Sequence, residues 1–393
     1  MTHRNRGRQD IGEPSPTIAR WVRDNSPPRD GSDGAVVGWS RGIMVRTTCG
    51  RRRGDEGWLV RVRGLSIPPR AIAVTSIVVI VTFVAALVMF GVDPRGWFGR
   101  SGAQRHDPFA GAELYGAPDS LAHKAADAAT GPDAEIVRRV AEVPTAIWLT
   151  PEESGLDAVE HRAATIAEGA AEENAVAVVV LYGITDRDCA GGHSGGGLEP
   201  GDYRTWVERA ARGLGHEPRH VAAVVEPDAL AMVDECPDPE TRFDLLDDAR
   251  SALDSAGVTT YLDAGHSDWV AVETMADRLR QIGIDEARGF SVNVAAYNGE
   301  ADEIDYAERL ADLLDDGVHY VMDTGRNGAG ASGEWCNPPG RALGQRPGAG
   351  EGRLDARLWI KPPGESDGTC RGGPPAGTWW NERAAELARQ AGW

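Results

Sequence analysis

Lysine is scarce in this sequence, and Lys124 and Lys361 are the only two. The 393 residues include 41 basic and 60 acidic side chains, which gives a formal net charge of −19. Because a nucleic-acid binder needs a basic surface to neutralise phosphates, this composition argues against a nucleic-acid partner. Hydrophobic residues make up 41% of the chain, which excludes wholesale disorder. The length of 393 residues is enough for one large domain or two ordinary ones.

Cysteine is also scarce, with five residues in the whole chain. No two of them have the two-to-four-residue spacing typical of a zinc site, so we expect no metal. The second part of the chain holds an even set of four, which predicts two disulfides and an oxidising compartment. Three pairings are possible, and loop closure favours the two short loops, Cys189–Cys236 and Cys336–Cys370.

The segment Ala71–Val92 contains no charged residue and separates two parts of opposite charge. Residues 1–70 hold 14 basic and 7 acidic side chains, a net charge of +7, whereas residues 93–393 hold 27 and 53, a net charge of −26. As a helix, the uncharged segment would span about 33 Å, which matches a bilayer core of about 30 Å. Arginines crowd its N-terminal side, so the positive-inside rule predicts that residues 93–393 lie outside the membrane.

These features predict four regions along the chain. Residues 1–70 form a basic, disordered cytoplasmic segment, 71–92 a single transmembrane signal anchor, 93–106 a linker, and 107–393 one outer domain. The apolar run is longer than a signal-peptide core and no clean A-x-A cleavage site follows it, which favours an uncleaved anchor. A cleaved signal peptide with a secreted product, a pair of buried strands and a true start at Met44 are the alternatives. We expect the protein to be a monomer.

Short apolar runs alternate with amphipathic helical patterns after residue 107, which predicts a parallel α/β architecture. About seven parallel strands over some 290 residues favour a distorted, TIM-like (β/α) barrel. The predicted strands are Thr145–Leu149, Val176–Tyr182, His220–Val225, Val258–Leu262, Gly289–Val294, His319–Met322 and Ala356–Ile360. The predicted helices between them are Gly155–Glu173, Asp202–Leu214, Asp238–Ala256, Ser267–Ile284 and Glu303–Leu314.

Clusters of Asp, His, Trp and Gly follow these strands, and a parallel barrel brings all such strand ends to one face. Asp188, Asp228 and Asp367 follow three different strands, and paired carboxyl groups can serve as the acid and base of glycoside hydrolysis. The structural alternative for any one of them is a helix N-cap or an ion pair. Trp148, Trp269 and Trp335 lie near strand ends, where flat indole rings suit sugar rings, although a single Trp is more often a core residue.

The outer domain resembles the catalytic domain of glycoside hydrolase family 6, the inverting cellulases, which include endoglucanases and cellobiohydrolases. Seven blocks occur in the family's order over about residues 107–393. They read YGITDRDCAGGHSGG (182–196), VVEPDALA (224–231), YLDAGHSDW (261–269), GFSVNVAAYN (289–298), DTGRNG (323–328), EWCNPPGRALG (334–344) and LWIKPPGESDG (358–368). The resemblance implies a barrel fold, a β-1,4-glucan substrate and no cofactor.

Position by position, the resemblance also implies roles for individual residues. Asp228 falls on the general acid, Asp188 on the aspartate that supports it, and Asp367 on the proposed base. Tyr182 falls on the tyrosine that presses the reacting sugar out of its relaxed chair, and Asp263 on a further active-site carboxylate. Sugar or water contacts are implied for Trp148, Ser194, His266, Trp269, Trp335, Lys361 and Glu365. The four outer cysteines fall on the family's two disulfides, in the pairing that loop length favours.

The chain departs from the family pattern at three positions, Thr185, Gly197 and Ala296, none of which is a catalytic carboxylate. A short Gly/Pro-rich stretch follows Asp367, which predicts an open cleft and cutting inside the polymer. Alternatives are an exo-acting cellobiohydrolase, a hydrolase of another β-glucan, and a membrane-tethered carbohydrate-binding protein that has lost catalysis. A metal hydrolase using His193 and His266 is disfavoured, because these residues lack helical i, i+4 pairing.

Overall fold

The computed structural model describes residues 61–62, 65–66, 104, 106–189 and 194–393. The predicted span 71–92 lies outside these residues and stays a prediction. Within the described part, no helix is long and apolar enough to cross a bilayer. The chain divides into two units after Val92. In the first unit, strands β1 (Arg61–Val62) and β2 (Leu65–Ser66) pair in an antiparallel manner.

A nine-stranded sheet forms the second unit. Its strands are β3 (Glu113–Leu114), β4 (Ile147–Leu149), β5 (Ala175–Leu181), β6 (Val221–Val225), β7 (Thr259–Asp263), β8 (Gly289–Val292), β9 (His319–Asp323), β10 (Gly348–Ala349) and β11 (Leu354–Leu358). The order is β10-β11-β9-β8-β7-β6-β5-β3, with β4 also paired to β5. All pairs are parallel except β10 with β11.

The sheet curls into a nearly closed barrel whose seam lies between β4 and β11. Hydrogen bonds bridge this seam, because the Ala146 amide donates to the Trp359 carbonyl at 3.0 Å and the Trp148 indole Nε1 donates to the Ile360 carbonyl at 2.9 Å. The predicted barrel of seven parallel strands is therefore confirmed, and each predicted strand overlaps an observed one. The two-residue strands β3 and β10 were not predicted, because two residues carry no readable periodicity.

Helices cover the outside of the barrel. They are α1 (Leu121–Ala128), α2 (Ala134–Ala141), α3 (Val159–Glu172), α4 (Pro200–Leu214), α5 (Pro239–Ser255), α6 (Val272–Gln281), α7 (Glu300–Leu313) and α8 (Asn381–Gln390). The five predicted helices correspond to α3 through α7. Helices α1 and α2 were missed, because each has only eight residues and their buried faces pack partly on each other.

Strands β5 and β6 are buried along their full length, which explains why their sequences are continuously apolar rather than alternating. One set of their side chains packs outward against the helices, and the other set fills the barrel interior with Val178, Val180 and Val224. Registers such as Leu149 with Leu181 and Leu181 with Val225 bring the carboxyl ends of the strands level. The residues that follow each strand therefore meet at one face of the barrel.

Candidate active site

A cleft of about 1630 Å³ opens at the carboxyl ends of the strands. Eleven of the twelve predicted catalytic and sugar-contacting residues line it, although they come from segments far apart in sequence. They are Trp148, Tyr182, Asp188, Ser194, Asp228, His266, Trp269, Trp335, Lys361, Glu365 and Asp367. The twelfth, Asp263, does not line the cleft and lies fully buried beneath it.

Asp228 follows β6 and rests on the buried carboxylate of Asp263. The Asp228 backbone N–H donates to Asp263 Oδ1 at 2.9 Å, and Gly265 N–H and Ser291 Oγ also donate to Asp263. Burial, with smaller contributions from Asp263 and Asp188, raises the pKa of Asp228 well above its usual range, against the opposing charge of Lys361. Burial also raises the pKa of Asp263, to about 7. The surroundings of Asp228 therefore favour the protonated form of its carboxyl group.

Tyr182 and Asp188 form a second polar contact beside Asp228. The Tyr182 hydroxyl donates to Asp188 Oδ1 at 3.0 Å, and the Ser194 backbone N–H donates to Asp188 Oδ2 at 2.9 Å. Arg187 lies over the Tyr182 ring at 4.6 Å and donates to the Tyr182 carbonyl at 2.7 Å. The aromatic ring and the carboxylate are thus fixed from two sides, and both face the cleft.

Asp367 lies in a different environment, dominated by a buried cation. Arg326 Nη1 donates to Asp367 Oδ1 at 2.7 Å, while the Tyr297 hydroxyl and the Asn337 backbone N–H donate to Oδ2 at 2.8 and 3.0 Å. Burial would raise the pKa of Asp367, but the charges of Arg326 and Lys361 outweigh it and hold this pKa below its usual value. Asp367 is therefore an ionised carboxylate at neutral pH.

Three of these partners were missed by the residue-level prediction, although all lie inside quoted sequence blocks. Arg326 lies in DTGRNG, Asn337 in EWCNPPG and Tyr297 in GFSVNVAAYN. Arg326 is 1% exposed, and a buried arginine needs an anionic partner. The sequence does not reveal which arginine is buried, so the signal was present but ambiguous.

Trp148, Lys361 and Glu365 form one polar and aromatic wall of the cleft. The Lys361 ammonium lies 3.2 Å from a Glu365 carboxylate oxygen and 5.3 Å from the centroid of the Trp148 ring. The Trp148 ring meets Tyr182 edge to face at 5.1 Å. This wall offers a flat apolar surface beside charged hydrogen-bonding groups, a combination that suits a sugar ring with its hydroxyls.

Two further tryptophans and a histidine line another part of the cleft. Trp335 is 61% exposed and Trp269 is 37% exposed, so both large rings face the solvent-filled cleft. His266 lies 5.3 Å from the Trp269 ring, and burial lowers its pKa, which keeps the imidazole neutral. Exposed indoles at a cleft rim indicate surfaces that are covered when a ligand binds.

Both predicted disulfides are present, so the pairing is confirmed. Cys189–Cys236 ties the segment after Asp188 to the segment after Asp228. The second bond, Cys336–Cys370, ties the Trp335 loop to the loop that follows Asp367. Each disulfide therefore fixes a loop that carries a cleft residue.

Several acidic residues at the strand ends adopt left-handed backbone conformations, which non-glycine residues rarely do. Asp188 has φ 54°, Glu226 has φ 47° and Asp228 has φ 71°. Such strain persists only where surrounding contacts enforce it, and it is concentrated at functional sites.

Across the described ranges, no group of three His, Cys, Asp or Glu side chains is arranged to hold a metal ion.

A nearly closed parallel barrel with carboxyl groups and aromatic rings at its mouth has the arrangement of a barrel-fold glycoside hydrolase. A profile of the family described as "Glycosyl hydrolases family 6" matches residues 109–391. The chain belongs to this family, as the sequence blocks indicated.

Individual relatives agree with the family assignment. Endoglucanase A of Cellulomonas fimi is 42% identical over 286 residues, covering 71% of this chain and 62% of the relative. Endoglucanase A of Thermobispora bispora is 36% identical over 271 residues, covering 66% of this chain and 58% of the relative. The chain thus spans about three fifths of the length of these two curated relatives.

Among solved structures, the endoglucanase Cel6 from Mycobacterium tuberculosis is 43% identical, with a TM-score of 0.69. The match covers 73% of this chain and 100% of that chain. That enzyme was solved in complex with methyl-cellobiosyl-4-deoxy-4-thio-β-D-cellobioside.

Proposed function

We propose that this protein hydrolyses β-1,4-glucosidic bonds inside cellulose or a related β-glucan, with inversion at the anomeric carbon. The relatives' names and the cellobioside analogue bound by the Mycobacterium tuberculosis enzyme support this substrate class. The observation that carries the proposal is the contrast between two carboxyl groups in one cleft: the Asp228 backbone is bonded to the buried carboxyl of Asp263, whereas the Asp367 carboxylate is paired with the buried Arg326 at 2.7 Å. The pKa of Asp228 is raised and that of Asp367 is lowered, which separates an acid from a base.

In the proposed reaction, Asp228 donates its proton to the glycosidic oxygen as the bond from that oxygen to the anomeric carbon breaks. A water molecule attacks the anomeric carbon from the opposite face and passes a proton to Asp367. The products are two shorter glucan chains, and the new reducing end has the inverted configuration. Solvent then returns a proton to Asp228 and removes one from Asp367.

Neighbouring residues assist these two carboxyl groups in the proposal. The negative charge of Asp188 favours the protonated form of Asp228, since it contributes to the raised pKa. The Tyr182 ring, fixed by Asp188 and Arg187, crowds the reacting sugar and favours a distorted ring. The Ser194 backbone N–H holds the Asp188 carboxylate in place.

Trp148, Lys361 and Glu365 would bind glucosyl units on one side of the cleaved bond, and His266, Trp269 and Trp335 would bind them on the other. Only a short Gly/Pro-rich stretch, residues 368–377, separates Asp367 from the segment before α8. An unroofed cleft accepts the middle of a polymer chain, which favours internal cutting.

We also propose that residues 71–92 anchor a monomeric enzyme with its catalytic domain outside the membrane, or direct its secretion if they are cleaved.

The test compares viscosity and reducing ends during digestion of a soluble cellulose derivative. Internal cutting should lower viscosity much faster than it releases reducing ends, and parallel changes would contradict it. NMR of the first products should show the inverted anomer, and a retained anomer would contradict the mechanism. D228N should abolish turnover while oligosaccharide binding persists, and normal turnover would reject the acid assignment.

A further inference from the structure

Glu226 is a buried acidic residue to which the proposed reaction assigns no role. It directly follows β6 and lies two residues before Asp228, with 1% of its surface exposed. Its backbone is left-handed, like that of Asp228. A buried carboxylate is costly unless its contacts compensate for the lost water, so its partners show what it does.

Every polar contact of the Glu226 carboxylate is with a donor. Gly183 N–H donates to both oxygens at 3.0 Å, Ile184 N–H donates to Oε2 at 3.1 Å, and the Tyr203 hydroxyl donates to Oε1 at 3.0 Å. In return, the Glu226 backbone N–H donates to the Leu181 carbonyl at 2.9 Å. Glu226 thus links the ends of β5 and β6 twice, once through its side chain as acceptor and once through its backbone N–H as donor.

The turn that Glu226 holds leads directly into the catalytic machinery. It begins at Tyr182, whose hydroxyl donates to Asp188, and its Gly183 carbonyl accepts a hydrogen bond from Leu198 N–H at 3.0 Å. The turn has little free space on its other side. A Cβ added to Gly183 would lie only 3.0 Å from Pro151 and 3.2 Å from Trp206.

We propose that Glu226 is a positioning residue for the reaction, which holds the Tyr182–Ile184 turn so that Tyr182 and Asp188 face Asp228. This inference rests on the proposed roles of Asp228 and Asp188. Glu226 acts through the turn and touches no substrate. Its charge also matters, because an ionised carboxylate accepts from all these donors whereas a protonated one would point a hydrogen at one of them.

The surroundings of Glu226 have opposing effects on its pKa. Burial raises its pKa to about 7, while the Gly183, Ile184 and Tyr203 hydrogen bonds and the charge of Arg187 lower it. Arg242 on α5 is the other cation that interacts with it, and Tyr203 on α4 is its neutral partner. The hydrogen bonds and the charge of Arg187 thus favour the ionised form and partly offset the effect of burial.

The test is the variant E226Q, assayed on a soluble β-glucan beside the wild-type enzyme. Its amide nitrogen would face donors, so the turn loses part of its anchor. We expect kcat to fall about tenfold to hundredfold, as for a lost hydrogen bond to a charged group, with KM changed less than about twofold. We also expect the high-pH limb of the activity profile to move to lower pH.

The direction of that shift follows from the site. Activity requires protonated Asp228, so it is lost as pH rises through the Asp228 pKa. The nearby negative charge of Asp188 raises this pKa. If the turn relaxes and Asp188 moves away, the Asp228 pKa falls and the high-pH limb moves down with it. Glu226 itself is not among the groups that set this pKa, so the shift would report on the turn.

Y203F is the matched control. It removes the hydroxyl contact to Glu226 but leaves both backbone contacts to the turn, so stability should fall while kcat and the pH profile stay within about twofold of wild type. Unchanged kcat and pH profile in E226Q, with stability lowered as in Y203F, would overturn the inference and leave Glu226 a structural carboxylate.

A second variant covers the case in which E226Q does not fold. G183A displaces the same turn from the Pro151 and Trp206 side while Glu226 stays in place. It should reproduce the fall in kcat and the limb shift, and wild-type behaviour would overturn the inference. Absence of any β-glucan turnover in the wild-type enzyme would instead reject the proposed function, and with it this inference.

Discussion

Arg326 is the residue whose removal tests the electrostatics of the site most directly. It is the cation that touches Asp367, and both side chains are buried, with 1% and 7% of their surfaces exposed. The variant R326M removes the charge and keeps much of the side-chain volume. Asp367 then loses its buried counter-ion but keeps its hydrogen bonds from Tyr297 and Asn337.

The expected cost at pH 7 is about 3–5 kcal/mol of unfolding free energy, the usual penalty for leaving one partner of a buried ion pair uncompensated. The retained hydrogen bonds and the nearby charge of Lys361 favour the lower end of that range. Because burial is the largest influence on Asp367, its pKa should change from below the usual value to above it.

The sign of the pH dependence follows from that reversal. In the wild type the depressed pKa of Asp367 contributes stability above its unfolded value, and this contribution is lost as pH falls through the folded pKa. In R326M the raised pKa lets Asp367 become neutral as pH falls, which relieves the penalty. Each pKa unit corresponds to about 1.4 kcal/mol, so the stability difference between the two proteins should shrink from pH 7 to pH 4.

Urea unfolding at both pH values measures this difference. R389M is the control, because it breaks an exposed pair with Asp133 and should cost at most about 1 kcal/mol at either pH. An R326M penalty equal at pH 7 and pH 4, or as small as that of R389M, would refute the assignment of Arg326 as the counter-ion that keeps Asp367 ionised.

Three further perturbations test other parts of the molecule. Replacing Cys336 and Cys370 by Ser opens a bond of sequence separation 34 and should cost about 4 kcal/mol in thermal unfolding, with reduced activity; unchanged activity would show that the loop holds Asp367 without it. W335A should raise KM for long cello-oligosaccharides about two- to tenfold at unchanged stability, and an unchanged KM would exclude stacking there. Y261F removes a buried 2.6 Å hydrogen bond to Asp355, so urea unfolding should show a loss of about 1–3 kcal/mol with normal kcat.

Much of the fold could be predicted from the sequence, because the buried strands leave a strong local signal. The β5 segment, AVAVVVL, is buried at every position, so no polar residue interrupts the run. Helices α4 and α5 were predicted within about two residues, because each begins with proline and they are 15 and 17 residues long. Helices α1 and α2 have only eight residues each, which is shorter than the window over which helical periodicity can be recognised.

The candidate site was only partly predictable. Asp188, Asp228 and Asp367 could be placed at the cleft from their positions after strands and within recognisable blocks. The burial of Asp263 beneath the cleft could not, because it depends on how the β6 and β7 ends pack together. The Arg326 contact to Asp367 joins residues 41 apart, and no local pattern indicates which partners meet.

The sequence by itself determined the separation of a basic front segment from an acidic domain, the seven strands and the family. Those properties depend on local composition, periodicity and ordered motifs. The tertiary structure decided how the surroundings of Asp228 and Asp367 differ. That distinction depends on burial and on neighbours brought together by the barrel, because the same aspartate side chain has a raised pKa beside Asp263 and a lowered one beside Arg326.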